Sequence, residues 1–369
     1  MKSKKRILFV IWSFSMGGGA EKILSNILNN IDLNKYEIDV LEYIRFNIKL
    51  EEIPKEVRKL RPILDCSLKR NRIKRYVFDK FVIRWPWLFR KIFIKEDYDL
   101  EIAFNYLIPN ALVHKSKKSF CWVHGDIYDL KNSAFLYKKQ YKFFSCTDKI
   151  IVISNNTHKS VSELYPEFNA KISRIYNGFD LDLIKEASLE KCETKLNDTS
   201  VVFIGRLDEG KQPISALKCI YKLNKEFNFK AHIYILGKGE LLGKLEEYVI
   251  SHDLLEFVHF LGYINNPYPI IKQAKAIISF SKSEGFPTIF VEGLTLGVPF
   301  VCTPVGGAEE LYSGGKTGII VSDIDEGVLA LKKIFEGSSN LSSSKCMGLA
   351  NKFSIENQIN LIEGMIDDE

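Results

Sequence analysis

The chain has 369 residues, 46% apolar and 27% charged, with a formal net charge of +6 at pH 7. That is the composition of a soluble globular protein with room for about two domains, and no stretch reaches the roughly 18 uninterrupted apolar residues of a membrane span. The seven cysteines are odd in number and scattered, with no C-x-x-C and no Cys/His cluster, which fits a reduced cytosol better than a disulfide framework.

The N-terminus, "MKSKKRILFVIWSFSMGGGAEK", begins like a signal peptide but lacks a small-x-small cleavage site. Its apolar run leads into a glycine loop and an amphipathic helix bearing Ile23, Leu24, Ile27, Leu28 and Ile31, so "RILFVIW" reads as a first strand. "YEIDVLEYI", "LEIAF", "FCWV" and "KIIVIS" follow as strands, and Asn155 or Asn156 is expected to cap a helix beginning near Thr157. "IYNGFD" closes the half with an Asn177-Gly178 turn. The polar stretch 184–199 is expected to be a linker between domains at 1–183 and 200–350, with a last helix over 351–369 packing back on the N-terminal domain. The pattern then restarts: strands at "SVVFIG", "AHIYILG", "VHFLGY", "AIISFS", "FVCT" and "TGIIV" alternate with helices. Such alternation predicts an α/β protein of two doubly wound parallel sheets facing a cleft, with ligands at the carboxyl ends of the strands. The two halves differ in charge. Residues 1–183 hold 33 Lys and Arg against 21 Asp and Glu, and the remainder holds 19 against 25.

Several groups could hold a phosphate. Gly17, Gly18 and Gly19 lie where the first strand turns into its helix, and a helix N-terminus attracts anions; a tight turn without a ligand explains them equally well. In "FIGRLDEGKQP", Arg206 and Lys211 follow a strand, and a fork and a point charge together suit a diphosphate; solvated loop cations are the common alternative. "ILGKGELLG" spaces its glycines as G-x-G-x-x-x-G after a strand that is not its domain's first. It therefore reads as a turn near a base rather than a dinucleotide fingerprint. "DLD" and "DID" lack a third ligand, so no metal is expected.

"SEGFPTIFVEGLTLGVPFV" carries two glutamates eight positions apart. Pro287 suits a helix start and Gly297 its end, which predicts a helix near 287–296 with Glu284 on the loop before it and Glu292 about one turn in, on the face of Thr288. A carboxylate beside a bound diphosphate is repelled by it and accepts best from hydroxyls. Charges favoured by the helix dipole are the plainer explanation.

Taken in order, "GGGAEK", "WVHGD", "IYNGFD", "GRLDEGKQP", "GKGE" and "SEGFPTIFVEGLTLGVPFVCTPVGGAEEL" resemble the glycosyltransferase group 1 family (family 4), retaining enzymes of the GT-B fold with two facing Rossmann-like domains. The resemblance implies a nucleotide-sugar donor gripped by Arg206, Lys211 and the glycines 17–19, with Gly285, Phe286, Pro287 and Thr288 also at the donor and Thr288 and its neighbours offering backbone N–H groups to the phosphates. It implies that Glu284 contacts the transferred sugar and Glu292 the ribose, and that His124 reaches the sugar near its reacting carbon, with Asp126 toward the acceptor. His124 reads otherwise as a packed residue ending a strand. The resemblance gives the N-terminal domain to the acceptor and the C-terminal domain to the nucleotide sugar, and implies transfer with retained configuration in cell-surface glycan assembly. Protein cations would replace a metal, and no cofactor is implied.

"LKRNRIKRYVFDKFVIRWPWLFRKIFIKE" interleaves basic and aromatic residues. Arg70, Arg72, Lys74 and Arg75 with Trp85 and Trp87 suit an anionic membrane surface, which would make the protein peripheral on the inner face of the plasma membrane and its acceptor lipid-linked. An ordinary amphipathic helix with a basic solvent face is the simpler reading. The pattern also suits nucleic acid, which nothing else in the chain supports. Two rival functions remain: a catalytically inactive nucleotide-sugar-binding partner subunit, and a nicotinamide dehydrogenase, which lacks its fingerprint.

Overall fold

The computed structural model describes residues 4–15, 19–46, 52–66, 72–113 and 118–367, and of the side chains in 72–74 nothing is said. Gly17, Gly18 and Arg70 lie outside the described residues, as do the side chains of Arg72 and Lys74. By its internal contacts the chain forms two units, Met1–Gly178 with Ile355–Glu369, and Phe179–Ser354.

Among the described residues the first unit has nine strands: β1 (Lys5–Ile11), β2 (Tyr36–Glu42), β3 (Ile44–Arg45), β4 (Arg58–Lys59), β5 (Leu64–Asp65), β6 (Leu100–Ala103), β7 (Lys118–Val123), β8 (Lys149–Val152) and β9 (Ile172–Arg174). Seven make one parallel sheet in the order β4-β2-β1-β6-β7-β8-β9, and β3 pairs with β5. Its helices are α1 (Gly19–Asn30), α2 (Arg72–Arg84), α3 (Pro86–Phe93), α4 (Ile108–Leu112), α5 (Ala134–Ser145) and α6 (Asn155–Leu164). Ile7 to Ile11 are all buried, as expected of a strand covered on both faces. Ser154, rather than Asn155 or Asn156, caps α6: its Oγ accepts from Thr157 N at 3.1 Å and Thr157 Oγ1 accepts from Ser154 N at 2.9 Å. Either asparagine would have left this reciprocal pair unmade.

The second unit holds β10 (Ser200–Ile204), β11 (His232–Leu236), β12 (Val258–Gly262), β13 (Ala276–Ser279), β14 (Phe300–Cys302) and β15 (Gly318–Ile320) in one parallel sheet, ordered β12-β11-β10-β13-β14-β15. Counted from its own first strand this is 3-2-1-4-5-6, the Rossmann order, with its switch point between β10 and β13. In the first unit the same reversal falls between β1 and β6. The helices are α7 (Leu181–Ala187), α8 (Pro213–Phe227), α9 (Leu242–Ser251), α10 (Tyr268–Ile271), α11 (Thr288–Thr295), α12 (Ala308–Tyr312), α13 (Ile324–Phe335) and α14 (Ser343–Ala350). The stretch 184–199 is no separate linker: it begins inside α7, and Asn266 Nδ2 and Gln273 Nε2 donate to its Ala187 and Thr194 carbonyls at 2.8 and 3.2 Å.

The last helix, α15 (Ile355–Asp367), belongs to the first unit. It buries Ile355, Ile359, Ile362 and Ile366 at helical spacing, Glu363 pairs with Lys35 at 3.1 Å, and Gln358 Oε1 accepts from Gly178 N at 3.0 Å. A Cβ on Gly178 would lie 2.8 Å from Gln358, so this glycine of "IYNGFD" serves the packing of α15.

Candidate active site

The switch point of the second unit gathers the residues singled out in its half. The loop after β10 is folded around Asp208, whose Oδ1 accepts from Gly210 N at 3.1 Å and Lys211 N at 3.0 Å while Oδ2 pairs with Arg206 Nη1 at 3.0 Å. Asp208 was not among the candidates, although an aspartate two residues before a glycine is a recognisable turn signal. Lys282 N donates to Gly210 O at 2.9 Å and ties this loop to the one after β13. There Glu284 pairs directly with Lys211 Nζ. Arg206 has a side chain 79% exposed, so its guanidinium can leave Asp208 for an incoming anion without a large desolvation cost. Cys302 at the end of β14 has its thiol pushed up to about 12, by burial first and then by the charge of Glu284.

Two glycines of "ILGKGELLG", Gly237 and Gly239, are demanded by this loop. A Cβ on Gly237, whose φ is +155°, would lie 1.9 Å from Gly205 O, and one on Gly239 would lie 2.3 Å from Leu207 O. Leu207 N donates to Lys238 O and Leu241 N to Leu207 O, both at 3.0 Å. The two backbones pack too closely for any side chain, and that fixes where Arg206 starts.

In the loop before α11, Phe286 and Pro287 are buried, and Phe286 packs on Phe353 with ring centroids 5.4 Å apart. Their side chains hold the loop in place. The helix runs Thr288–Thr295 and ends as expected, with Gly297 N donating to Leu294 O at 3.0 Å and Val298 N to Gly293 O at 2.8 Å. Glu292 is buried in its second turn. Its neighbour is Tyr268, missed in the sequence, whose hydroxyl pKa is raised by burial and by the Glu292 charge.

In the first unit the residues lie at the ends of β1 and β7. Glu42 Oε2 accepts from Phe14 N at 3.0 Å and from Ser15 Oγ at 3.1 Å, which anchors the backbone after β1. Among the described residues a Cβ on Gly19 would meet nothing within 4 Å. His124 packs against Phe104 with ring centroids 4.5 Å apart and hydrogen-bonds its backbone, while Nε2 is buried without a partner among the described residues. Burial pushes its pKa down to about 3, so the imidazole is neutral at physiological pH. Asp126 Oδ1 accepts from Tyr128 N at 3.2 Å and forms an Asx turn. Among the described residues, no three of His, Cys, Asp and Glu are grouped as a metal site would need.

Residues 17–183 match the family described as Glycosyltransferase Family 4, and residues 185–342 match Glycosyl transferases group 1. The chain is a glycosyltransferase of these two families. A relative in Campylobacter jejuni, an N-acetylgalactosamine-N,N'-diacetylbacillosaminyl-diphospho-undecaprenol 4-alpha-N-acetylgalactosaminyltransferase, is 26% identical over 324 residues, 84% of this chain and 85% of the relative. A UDP-Gal:alpha-D-GlcNAc-diphosphoundecaprenol alpha-1,3-galactosyltransferase of Escherichia coli is 27% identical over 67% of this chain and 68% of its own. The crystal structure of Anabaena HepE with UDP and glucose covers 98% of this transferase and 99% of HepE, at a TM-score of 0.74 and 16% identity. The transferase thus has the GT-B fold of paired Rossmann-like domains, and its donor is a nucleotide sugar.

Proposed function

We propose that this glycosyltransferase moves a hexose or N-acetylhexosamine from a UDP-sugar to a lipid-linked glycan acceptor, with retained configuration and without a metal, in capsule or lipopolysaccharide assembly. The observation that carries this reading is the pairing of Lys211 with Glu284 beside Arg206 and Asp208, at the switch point of a Rossmann-ordered sheet. Arg206 and Lys211 neutralise charge growing on a departing diphosphate, which is electrostatic catalysis. The resemblance carried by "GGGAEK" extends donor binding to glycines 17–19, of which Gly17 and Gly18 lie outside the described residues. Glu284 serves the sugar hydroxyls, Glu292 the ribose, and His124, neutral with Nε2 unpartnered, a hydroxyl near the reacting carbon. Asp126 belongs on the acceptor side. Double displacement needs a carboxylate nucleophile with an acid/base partner about 5–5.5 Å away. No residue recommends itself as that nucleophile, which favours a front-side route in which the leaving phosphate helps deprotonate the acceptor. The names of the C. jejuni and E. coli relatives, with their diphosphoundecaprenol acceptors, and UDP in the HepE crystal support the donor base and the acceptor class.

UDP is expected to raise the melting temperature, by about 2.7 kcal/mol of stability at 100-fold excess over Kd. Sugar release from UDP-sugars is expected to survive a strong chelator. Protection by GDP instead of UDP overturns the donor, and loss on chelation restored by manganese overturns the metal-free reading. A catalytically inactive partner subunit would bind UDP yet release no sugar with any acceptor.

The membrane reading rests on α2 and α3. No helix among the described residues is long and apolar enough to cross a membrane. These two helices nevertheless expose Tyr76 at 60%, Trp87 at 64% and, around them, Val77, Phe81, Trp85 and Ile92. Apolar and aromatic groups beside cations suit a peripheral site on the inner face of the plasma membrane. Replacing Arg70, Arg72, Lys74 and Arg75 together with Glu is expected to release the protein from anionic vesicles in a sedimentation assay while activity on a short soluble acceptor that carries no lipid diphosphate is kept. Equal sedimentation of the variant would leave the stretch a solvated face.

A further inference from the structure

The first unit contains a cavity of about 540 Å³ that the donor-site assignments above do not use. It lies at that unit's own switch point, where Trp12 follows β1 and Asn105, Tyr106 and Leu107 follow β6, and its other wall comes from α2 and α5. Open parallel sheets bind ligands at this point, and the volume is that of a small-molecule pocket. Its floor is strained. Leu107 holds a φ of +57°, uncommon for a residue with a side chain, and is fixed there by its N–H donating to the buried Gln140 Oε1 at 2.7 Å. Gln140 is itself held by Asn110, and Asn110 by Thr147, each at 3.0 Å. A buried polar chain thus maintains a leucine in a conformation that it would not adopt alone.

The lining is largely apolar and aromatic, and its charge is arranged to one pattern. Three of the lining rings each carry a cation: Arg75 stands over Trp12 at 5.8 Å, Lys80 over Tyr76 at 4.4 Å and Lys139 over Phe135 at 5.8 Å. Among the described lining residues the one carboxylate, Asp79, is engaged by the Tyr43 hydroxyl at 2.5 Å. Tyr76 and Phe135 are exposed, so the cationic side is the side open to solvent. Apolar walls with cations on the aromatic rings complement an amphiphile with an anionic head. A free sugar would ask for more hydrogen-bonding groups in the walls, and a free phosphate would have no use for them.

We propose that this cavity seats the first isoprene units of a polyprenyl diphosphate, with the diphosphate at the cations of α2 and α5. It deepens the reading above, on which it rests, by assigning the lipid end of the acceptor its own slot. The slot sets which lipid carriers are accepted independently of the donor.

The test is calorimetric titration of the full chain with farnesyl diphosphate, and separately with inorganic diphosphate and N-acetylgalactosamine. Farnesyl diphosphate is expected to bind about tenfold or more tighter than either. Leu136→Trp, which fills the cavity from a half-buried position, is expected to weaken it by about tenfold. Phe135→Glu at the exposed mouth, which leaves the core untouched, is expected to do the same. Neither variant is expected to alter UDP affinity. Equal binding of farnesyl and inorganic diphosphate overturns the proposal, as does N-acetylgalactosamine competing for the same site or Phe135→Glu binding like the parent. The transferase reading fails separately, on UDP: a chain that binds farnesyl diphosphate but no UDP keeps the slot and loses the donor.

Discussion

Glu284→Gln is expected to lower kcat by about 10- to 100-fold while leaving UDP affinity nearly unchanged, and Glu292→Gln to do the reverse, weakening UDP by about 10- to 100-fold. The range is that of one charge-assisted hydrogen bond, about 1.5–3 kcal/mol, at 1.36 kcal/mol per decade. The asymmetry follows from what each carboxylate is proposed to hold. The ribose keeps its contacts through the reaction, so Glu292 contributes equally to ground and transition states. The transferred sugar changes position and charge, so a contact from Glu284 strengthens on the way to the transition state and enters kcat. The structure adds a sign. Lys211 is paired with Glu284, so removing the Glu284 charge releases the ammonium for the diphosphate, and UDP is expected to bind Glu284→Gln no more weakly than the parent. Calorimetry with UDP alone, beside steady-state kinetics, separates the two. Loss of UDP binding in Glu284→Gln with normal binding in Glu292→Gln would reverse the roles. Two variants that bind and turn over like the parent would leave the glutamates as helix-end charges.

Much of the scaffold was legible because it is locally encoded. Apolar runs such as Ile7–Ile11 alternate with helices of 3.6-residue period, and Gly297 and Pro299 mark the end of α11 at the right place. The positions of Arg206, Lys211 and Glu284 followed from the strands that precede them. What escaped was set by contacts between distant segments. The glycines of "GKGE" looked like a turn near a ligand, and nothing near them in sequence tells that the Gly205–Leu207 backbone comes within reach of their missing Cβ atoms. Tyr268 lies 24 positions before Glu292 and approaches it only once α10 and α11 are folded. The cavity was invisible for the same reason, since its wall joins residues from Trp12 to Leu136. Polar residues 184–199 suggested a linker from composition, yet their carbonyls are taken by Asn266 and Gln273.

The same distinction decides which basic residues of the stretch 68–96 can serve a membrane. Arg90 cannot. On α3 it forks onto Glu101 of β6, with Nη2 to Oε1 at 2.5 Å and Nη1 to Oε2 at 2.7 Å, and Nη1 also donates to Leu112 O at 3.0 Å. Glu101 is 0% exposed, in a strand that pairs on both sides with β1 and β7. Desolvating such a carboxylate costs several kcal/mol, which the fork and its geometry offset. Arg90→Ala leaves Glu101 buried and unpaired, and is expected to destabilise the first unit by about 3–5 kcal/mol. Against a typical total of about 5–15 kcal/mol this is a large fraction of the stability. In urea the transition of this unit is expected to move to lower concentration with an unchanged slope. The double variant Arg90→Met with Glu101→Leu removes both charges and is expected to recover most of the loss, because apolar pairs of similar volume commonly replace buried ion pairs at little cost. A double variant no more stable than Arg90→Ala would mean that the arginine acts through its bond to Leu112 O and its packing, and not through the carboxylate. Vesicle binding of Arg90→Ala, measured on its folded fraction, is expected to match the parent, since a guanidinium committed to Glu101 has no charge to offer a lipid headgroup.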